Sequence, residues 1–252
     1  MKIALLIECI VAMLFGFCNK QDEGRHNLII SSSFESTTNP FTGWANNQHC
    51  CDYSLNQSTD KASDSAKSLK LEVRSTDPQV SGSIRSELVI DATGAETEGW
   101  YGFNMYLEDW IRDDAGEHVF QWHPNSAGGS AVASLWTSMG RYQWVAYSPG
   151  VPGGYTYTDL GPIVSNQWVS WVVHVKFSDN NTGITQVWKN GKLVLDKKNS
   201  VTCPAGGAYF KLGINKFGWG YQTSSTTKRV LYFDEVRVGN KNAGYNDVKP
   251  GN

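Results

Sequence analysis

The sequence predicts an all-β protein, two antiparallel sheets packed as a sandwich or jelly roll. Three observations predict it. Leu69, Leu71 and Val73 alternate with Lys70, Glu72 and Arg74, as a half-buried strand requires. Short strand-like runs recur along the chain between Gly, Asn, Ser and Pro, with very little helical periodicity. Asn190-Gly191 falls between two apolar runs, the strongest short-range signal for a hairpin.

In chain order, Lys2 precedes an apolar run from Ile3 to Phe17 that ends at Cys18. The run is too short to span a bilayer and suits a signal peptide over residues 1–17, although Glu8 interrupts it. Phe-Gly-Phe-Cys at 15–18 looks like a relaxed lipoprotein box, with Cys18 as the lipidated residue. Residues 18–27 then form a polar, acidic tether like those of bacterial surface lipoproteins. The chain is expected at the outer membrane through that anchor, facing the cell surface or the periplasm; simple secretion is the alternative. From Leu28 strand signals take over. Strands are expected at Ile84–Ile90, Trp100–Tyr106, His118–His123, Ala133–Thr137, Tyr142–Tyr147, Trp168–Phe177, Thr185–Trp188, Lys192–Leu195, Tyr209–Ile214 and Val230–Val238. One domain over 28–240 accounts for all of them, and 241–252 reads as a loose polar tail.

With 22 Lys+Arg against 24 Asp+Glu, no global charge argues for nucleic acid or for long-range steering of an anion. Any taste for an acidic ligand must come from a local cluster. Nothing in the chain calls for a redox cofactor or a nucleotide, and a monomer is expected. Cys9 leaves with the signal, so Cys50, Cys51 and Cys203 allow one disulfide, from Cys50 or Cys51 to Cys203, and one leftover thiol. His49 could line a groove from an early loop, whereas His174 reads as structural.

Side chains on a strand point alternately to opposite faces. That rule puts Arg85 and Glu87 on one face of their strand, with Leu88 and Ile90 behind. Gln121 and His123 share a face, with Phe120 and Trp122 pointing away. Tyr209, Lys211 and Asn215 share a third face, backed by Phe210, Leu212 and Ile214. Solvated strand faces are usually Ser, Thr, Lys and Glu. Three faces of large hydrogen-bonding and cationic groups suggest one polar groove.

Arg-Ser-Glu-Leu (85–88), Gln-Trp-His (121–123) and Tyr-Phe-Lys-Leu-Gly (209–213) resemble, in order, the signature segments of jelly-roll polysaccharide lyases. These include family 7 alginate lyases, the heparin lyase I family and the glucuronan lyases, all with a concanavalin-like sandwich. The likeness to the last two extends to Phe-Glu-Ser (34–36), to residues 98–107 and to residues 231–239, and so covers about 28–240. The resemblance implies β-elimination on a uronate-containing polysaccharide. Arg85 and Gln121 would grip the uronate carboxylate, His123 would neutralise it or act as base, and Glu87 would orient Arg85. Lys211 would hold a neighbouring acidic sugar or lower a phenol's pKa.

One position departs from the pattern. The catalytic tyrosine of these families is expected at 215, where this chain has Asn215, and an amide cannot donate a proton as a phenol does. Tyr209 is one candidate to replace it; Tyr142, Tyr147 and Tyr221 are others, and Arg141 is a further candidate to bind substrate. The alternative is a non-catalytic surface glycan-binding lipoprotein on the same fold. A glycosidase would need paired carboxylates across the groove, and none is apparent. Glu35 and Asp234 resemble positions where related jelly rolls hold a structural calcium. Two carboxylates are few for an ion that takes six or more oxygens, so plain surface carboxylates are the competing expectation.

Overall fold

The computed structural model describes residues 27–90, 97–125, 129–204 and 207–251. The signal peptide and the lipidation residue Cys18 lie outside the described residues. The strands are β1 (Leu28–Ser32), β2 (Asn46–Gln48), β3 (Leu55–Ser58), β4 (Ser68–Arg74), β5 (Arg85–Val89), β6 (Glu98–Glu108), β7 (Glu117–Pro124) and β8 (Ala133–Ser138). They continue as β9 (Arg141–Tyr147), β10 (Tyr155–Pro162), β11 (Trp168–Lys176), β12 (Gly183–Lys189), β13 (Lys192–Ser200), β14 (Ala208–Asn215) and β15 (Lys228–Gly239). One short helix, α1 (Tyr245–Val248), follows. Two antiparallel sheets result, ordered β13-β12-β11-β6-β15-β4-β3, with β1 also on β15, and β10-β9-β8-β7-β14-β5-β2.

The two sheets meet over the apolar faces that the alternation singles out. Leu69, Leu71 and Val73 of β4 are fully buried against Leu88, Phe120, Trp122, Phe210 and Leu212. Every strand expected from alternation is present. The hairpin at Asn190-Gly191 joins β12 to β13 with φ of 49° and 76°, the double positive φ of a type I′ turn. β2, β3 and β10 were not expected. β2 is Asn-Asn-Gln, with no apolar period to read, and β10 is an edge strand whose large side chains are tyrosines and whose only buried residue is Leu160.

Two expectations are corrected. Cys50 and Cys51 are bonded to each other, and Cys203, fully buried, takes no part in that disulfide. Register explains this: Cys203 lies before the N-terminal end of β14, whereas Gln48, which leads to Cys50, stands across β5 from Gly213 near the other end of that strand. The C-terminal segment is not a loose tail, because α1 packs on β15, β6 and β11 with Val248 fully buried. A Cβ on Gly102 would lie 1.8 Å from the Val248 carbonyl oxygen, so the docking depends on a glycine there. Among the described residues no helix is long and apolar enough to cross a membrane.

Candidate active site

A cavity of about 400 Å³ opens on the outer face of the seven-stranded sheet. Its residues follow from strand register, since directly opposed residues share a face. Arg85 on β5 faces Asn215 on β14, which faces His118 on β7, which faces Trp136 on β8. In a second row Lys211 faces Gln121, then Ser134, then Val145 on β9 and Tyr157 on β10. In a third, Tyr209 faces His123. Small Ser134 and Val145 make the floor, between a polar wall and an aromatic one built from Trp136, Tyr155, Tyr157, Phe217 and Tyr221.

The polar wall is organised by a buried carboxylate. Glu87 has no exposed surface and accepts hydrogen bonds from Arg85 Nη1 at 3.1 Å and Gln121 Nε2 at 2.5 Å. Gly213, opposite Glu87 on β14, leaves that space open: a Cβ there would meet the Ser86 carbonyl oxygen at 2.2 Å. Gln48 offers one carboxamide oxygen to both Lys211 Nζ (3.1 Å) and Arg85 Nη1 (3.3 Å). The Arg85 guanidinium also donates to the Ser83 hydroxyl oxygen at 2.8 and 3.1 Å. Ser83 in turn donates to the Asn215 carboxamide oxygen at 2.7 Å, so Asn215 has its amide N–H left to offer the cavity.

The charges follow from this packing. Two cationic side chains, Arg85 and Lys211, act on one carboxylate, so basic groups outnumber acidic ones in the wall. Burial pushes the Glu87 carboxyl above its usual range, against the pull of Arg85 and Lys211. Burial pulls the Lys211 ammonium down, and burial together with Lys211 pulls His123 below the ordinary imidazole value. Burial and the nearby Glu87 raise the Tyr209 phenol. No Asp or Glu is among the described cavity-lining residues, so the paired carboxylates of a glycosidase are not found there.

Residues 36–237 match the family described as Polysaccharide lyase. The chain belongs to that family. The lyase is similar in structure to the endo-β-1,4-glucuronan lyase of Trichoderma reesei, at 21% identity and a TM-score of 0.70, over 83% of this chain and 95% of that one. It is also similar to an alginate lyase of Pseudomonas aeruginosa (20% identity, TM-score 0.55, 76% and 87% covered) and to one of Aplysia kurodai (13%, 0.59, 84% and 98%). No curated protein sequence matches the chain.

The lyase brings most of the expected site residues together. Arg85, Gln121, His123, Asn215 and Tyr221 line the cavity, and Lys211 stands behind Gln121. Tyr209 lies beside His123, its ring 5.8 Å from the imidazole, with the Lys211 ammonium 5.5 Å from its centre. Glu87 holds Arg85, as expected, and Gln121 with it, and is too deeply buried to touch substrate itself. Two expectations are corrected. Tyr142 is fully buried, edge-on to Trp171 at 5.3 Å, because it alternates with Arg141 and so points into the core. Arg141 is on the outer face but lies outside the cavity lining, in an exposed ion pair with Asp159.

Glu35 accepts the Lys67 N–H at 2.7 Å, and Asp234 accepts the Ser63 N–H at 2.8 Å and its hydroxyl at 3.0 Å. Both carboxylates thus hold the 60–67 loop, and neither belongs to a group of three or more metal-ligating side chains among the described residues. His49 turns back to the Cys51 carbonyl at 3.2 Å. His174 is structural as expected, bonded to Glu98 and Gln186 at 3.0 Å each and stacked on Trp100.

Several positions in and around the cavity are not legible in the sequence. Gln48, Tyr155 and Tyr157 sit on strands that show no readable signal. His118 has even parity, opposite to Gln121 and His123, yet lines the same cavity. A bulge between His118 and Phe120 places both Val119 and Phe120 in the core and turns His118 outward.

Behind the groove, Lys216 is fully buried and bridges Asp113 (2.7 Å), Glu117 and the Ala115 carbonyl, with Arg229 3.4 Å from Glu117. Ser224 and Ser225 bond Asp113 at 2.6 and 3.1 Å, which ties down the 217–225 segment that carries Phe217 and Tyr221.

Proposed function

We propose that the lyase cleaves a uronate-containing polysaccharide such as glucuronan by β-elimination. The observation that carries this reading is the excess of basic over acidic groups in the Arg85–Lys211–Glu87 cluster, set beside the amides of Gln121 and Asn215 in an open groove. Elimination removes the C5 proton next to the uronate carboxylate, forms the C4–C5 double bond and expels the C4 oxygen, which takes up a proton. Negative charge grows on the carboxylate as C5 loses its proton, so donors aimed at that group lower the barrier.

Arg85 and Gln121 hold the carboxylate, and Glu87 fixes both of them from below. His123, kept neutral by burial and Lys211, removes the C5 proton. Tyr209, whose raised pKa keeps its proton on at neutral pH, returns one to the leaving oxygen. Tyr155 faces the clamp from the opposite wall and packs the sugar.

The test is incubation with glucuronan, alginate, heparin and ulvan while following the ultraviolet absorbance of the unsaturated product. A rise on at least one acidic polymer, abolished by His123→Ala, is expected. No rise on any of them would overturn the reading.

A further inference from the structure

His118 is a histidine whose proton position the structure determines. The Trp136 indole N–H, which can only donate, approaches His118 Nδ1 at 2.8 Å. Nδ1 therefore carries the lone pair, and the neutral ring holds its proton on Nε2. The ring cannot turn freely, being edge-on to Trp136 at 5.2 Å and tilted against Phe217 at 4.9 Å. Burial, with Arg85, His123 and Lys211 nearby, depresses its pKa to about 3, so the ring stays neutral through the whole working range. Its bulged position makes it part of the cavity lining beside its cross-strand partner Asn215.

The surroundings decide what it can bind. Arg85, the cation nearest this end, stands across β14 from His118, where Gln48 and Glu87 hold it, and Gln48 also holds Lys211. The His118–Asn215 end presents two neutral donors and the rings of Trp136, Phe217 and Tyr221. Neutral N–H donors beside aromatic faces suit the hydroxyl and ether oxygens of a stacked sugar, not a second carboxylate.

We propose that His118 is a substrate-binding residue that donates its Nε2–H to an uncharged oxygen of the sugar adjoining the clamped uronate. The proposal rests on the function given above. It makes charge recognition local to one subsite and leaves the adjoining subsite to read hydroxyls and ring faces.

The test joins kinetics to nitrogen NMR on the full protein with ¹⁵N-labelled histidine. His118 is expected as the neutral Nε2–H tautomer from pH 5 to pH 8, with no titration. His118→Phe, which keeps the ring packing but loses the donor, is expected to raise KM on glucuronan roughly tenfold with a smaller effect on kcat. His118→Gln, which keeps an N–H donor, is expected to recover part of that loss. Trp136→Phe removes the indole that fixes the tautomer, without removing His118, and is expected to give mixed tautomers and an intermediate KM. An unchanged KM in a folded His118→Phe protein that still cleaves overturns this inference alone. A His118→Gln variant no better than His118→Phe, or a His118 that titrates near pH 6, overturns it too. A wild-type protein inactive on every acidic polymer overturns the proposed function, and this inference falls with it.

Discussion

Gln121 donates its carboxamide N–H to Glu87 at 2.5 Å, from the cavity wall to a carboxylate with no solvent exposure. That bond uses one hydrogen of the Gln121 amide nitrogen and leaves the second for the groove, and the same carboxylate holds Arg85 at 3.1 Å. Glu87→Gln keeps the shape but can donate as well as accept, so both partners lose their defined orientation. We expect kcat/KM to fall roughly 10- to 100-fold, since small misplacement of positioning groups costs about that much. Steady-state kinetics beside a melting curve check this, and a folded Glu87→Gln protein of wild-type activity would refute the positioning role.

The pH profile follows from His123. Its pKa is depressed by burial first and by Lys211 second, so the free base persists below the ordinary imidazole range of about 6.5. The acid limb of kcat/KM should therefore have its midpoint below 6.5. In Lys211→Met the limb should move upward, because the largest charge acting on His123 is gone. A limb that stays in place in Lys211→Met would remove Lys211 as a cause.

Two tyrosines flank the groove from opposite sides, and paired Phe variants separate their roles. Tyr209→Phe should lower kcat by roughly 100-fold or more if its phenol protonates the leaving oxygen, general acids contributing about 10²–10⁴. Tyr155→Phe should act mainly on KM. Full activity in Tyr209→Phe would exclude it as the acid and turn attention to Tyr155.

The Lys216 cluster makes a stability prediction. Lys216→Met leaves Asp113 and Glu117 buried with Arg229 as their one ion-pair partner among the described residues, a loss of about 3–5 kcal/mol for a broken buried pair. Although burial alone would raise it, hydrogen bonds from Lys216 and Ser224 hold the Asp113 carboxyl down at about 2, against 3.8 ordinarily. A depressed carboxylate contributes stability that is complete above the unfolded pKa and disappears as pH falls through the folded one. The Asp113 share should thus vanish between about pH 4 and pH 2. Chemical denaturation across that window checks this: Asp113→Asn should flatten the pH dependence, and an unchanged slope would refute it.

What the sequence by itself determined is the content of single strands. The alternation of Arg85, Glu87, Gln121, His123, Tyr209 and Lys211 against buried Leu88, Phe120, Trp122, Phe210 and Leu212 is local, because side chains on a pleated backbone point in turn to opposite faces. The same rule, applied to Arg141 and Tyr142, already forbids both from facing one groove, and the structure bears that out.

What only the tertiary structure decided is how the strands meet. Register set Gln48 against both Arg85 and Lys211, although Asn46-Asn47-Gln48 carries no period. A single extra residue in β7 moved His118 to the face its parity denies. Register kept Cys203 from Cys50 and Cys51, and strand order brought Tyr155 and Tyr157 over the floor of Ser134 and Val145. Pairing and bulging are contests between distant segments, each worth little alone, and no window of sequence contains both contestants.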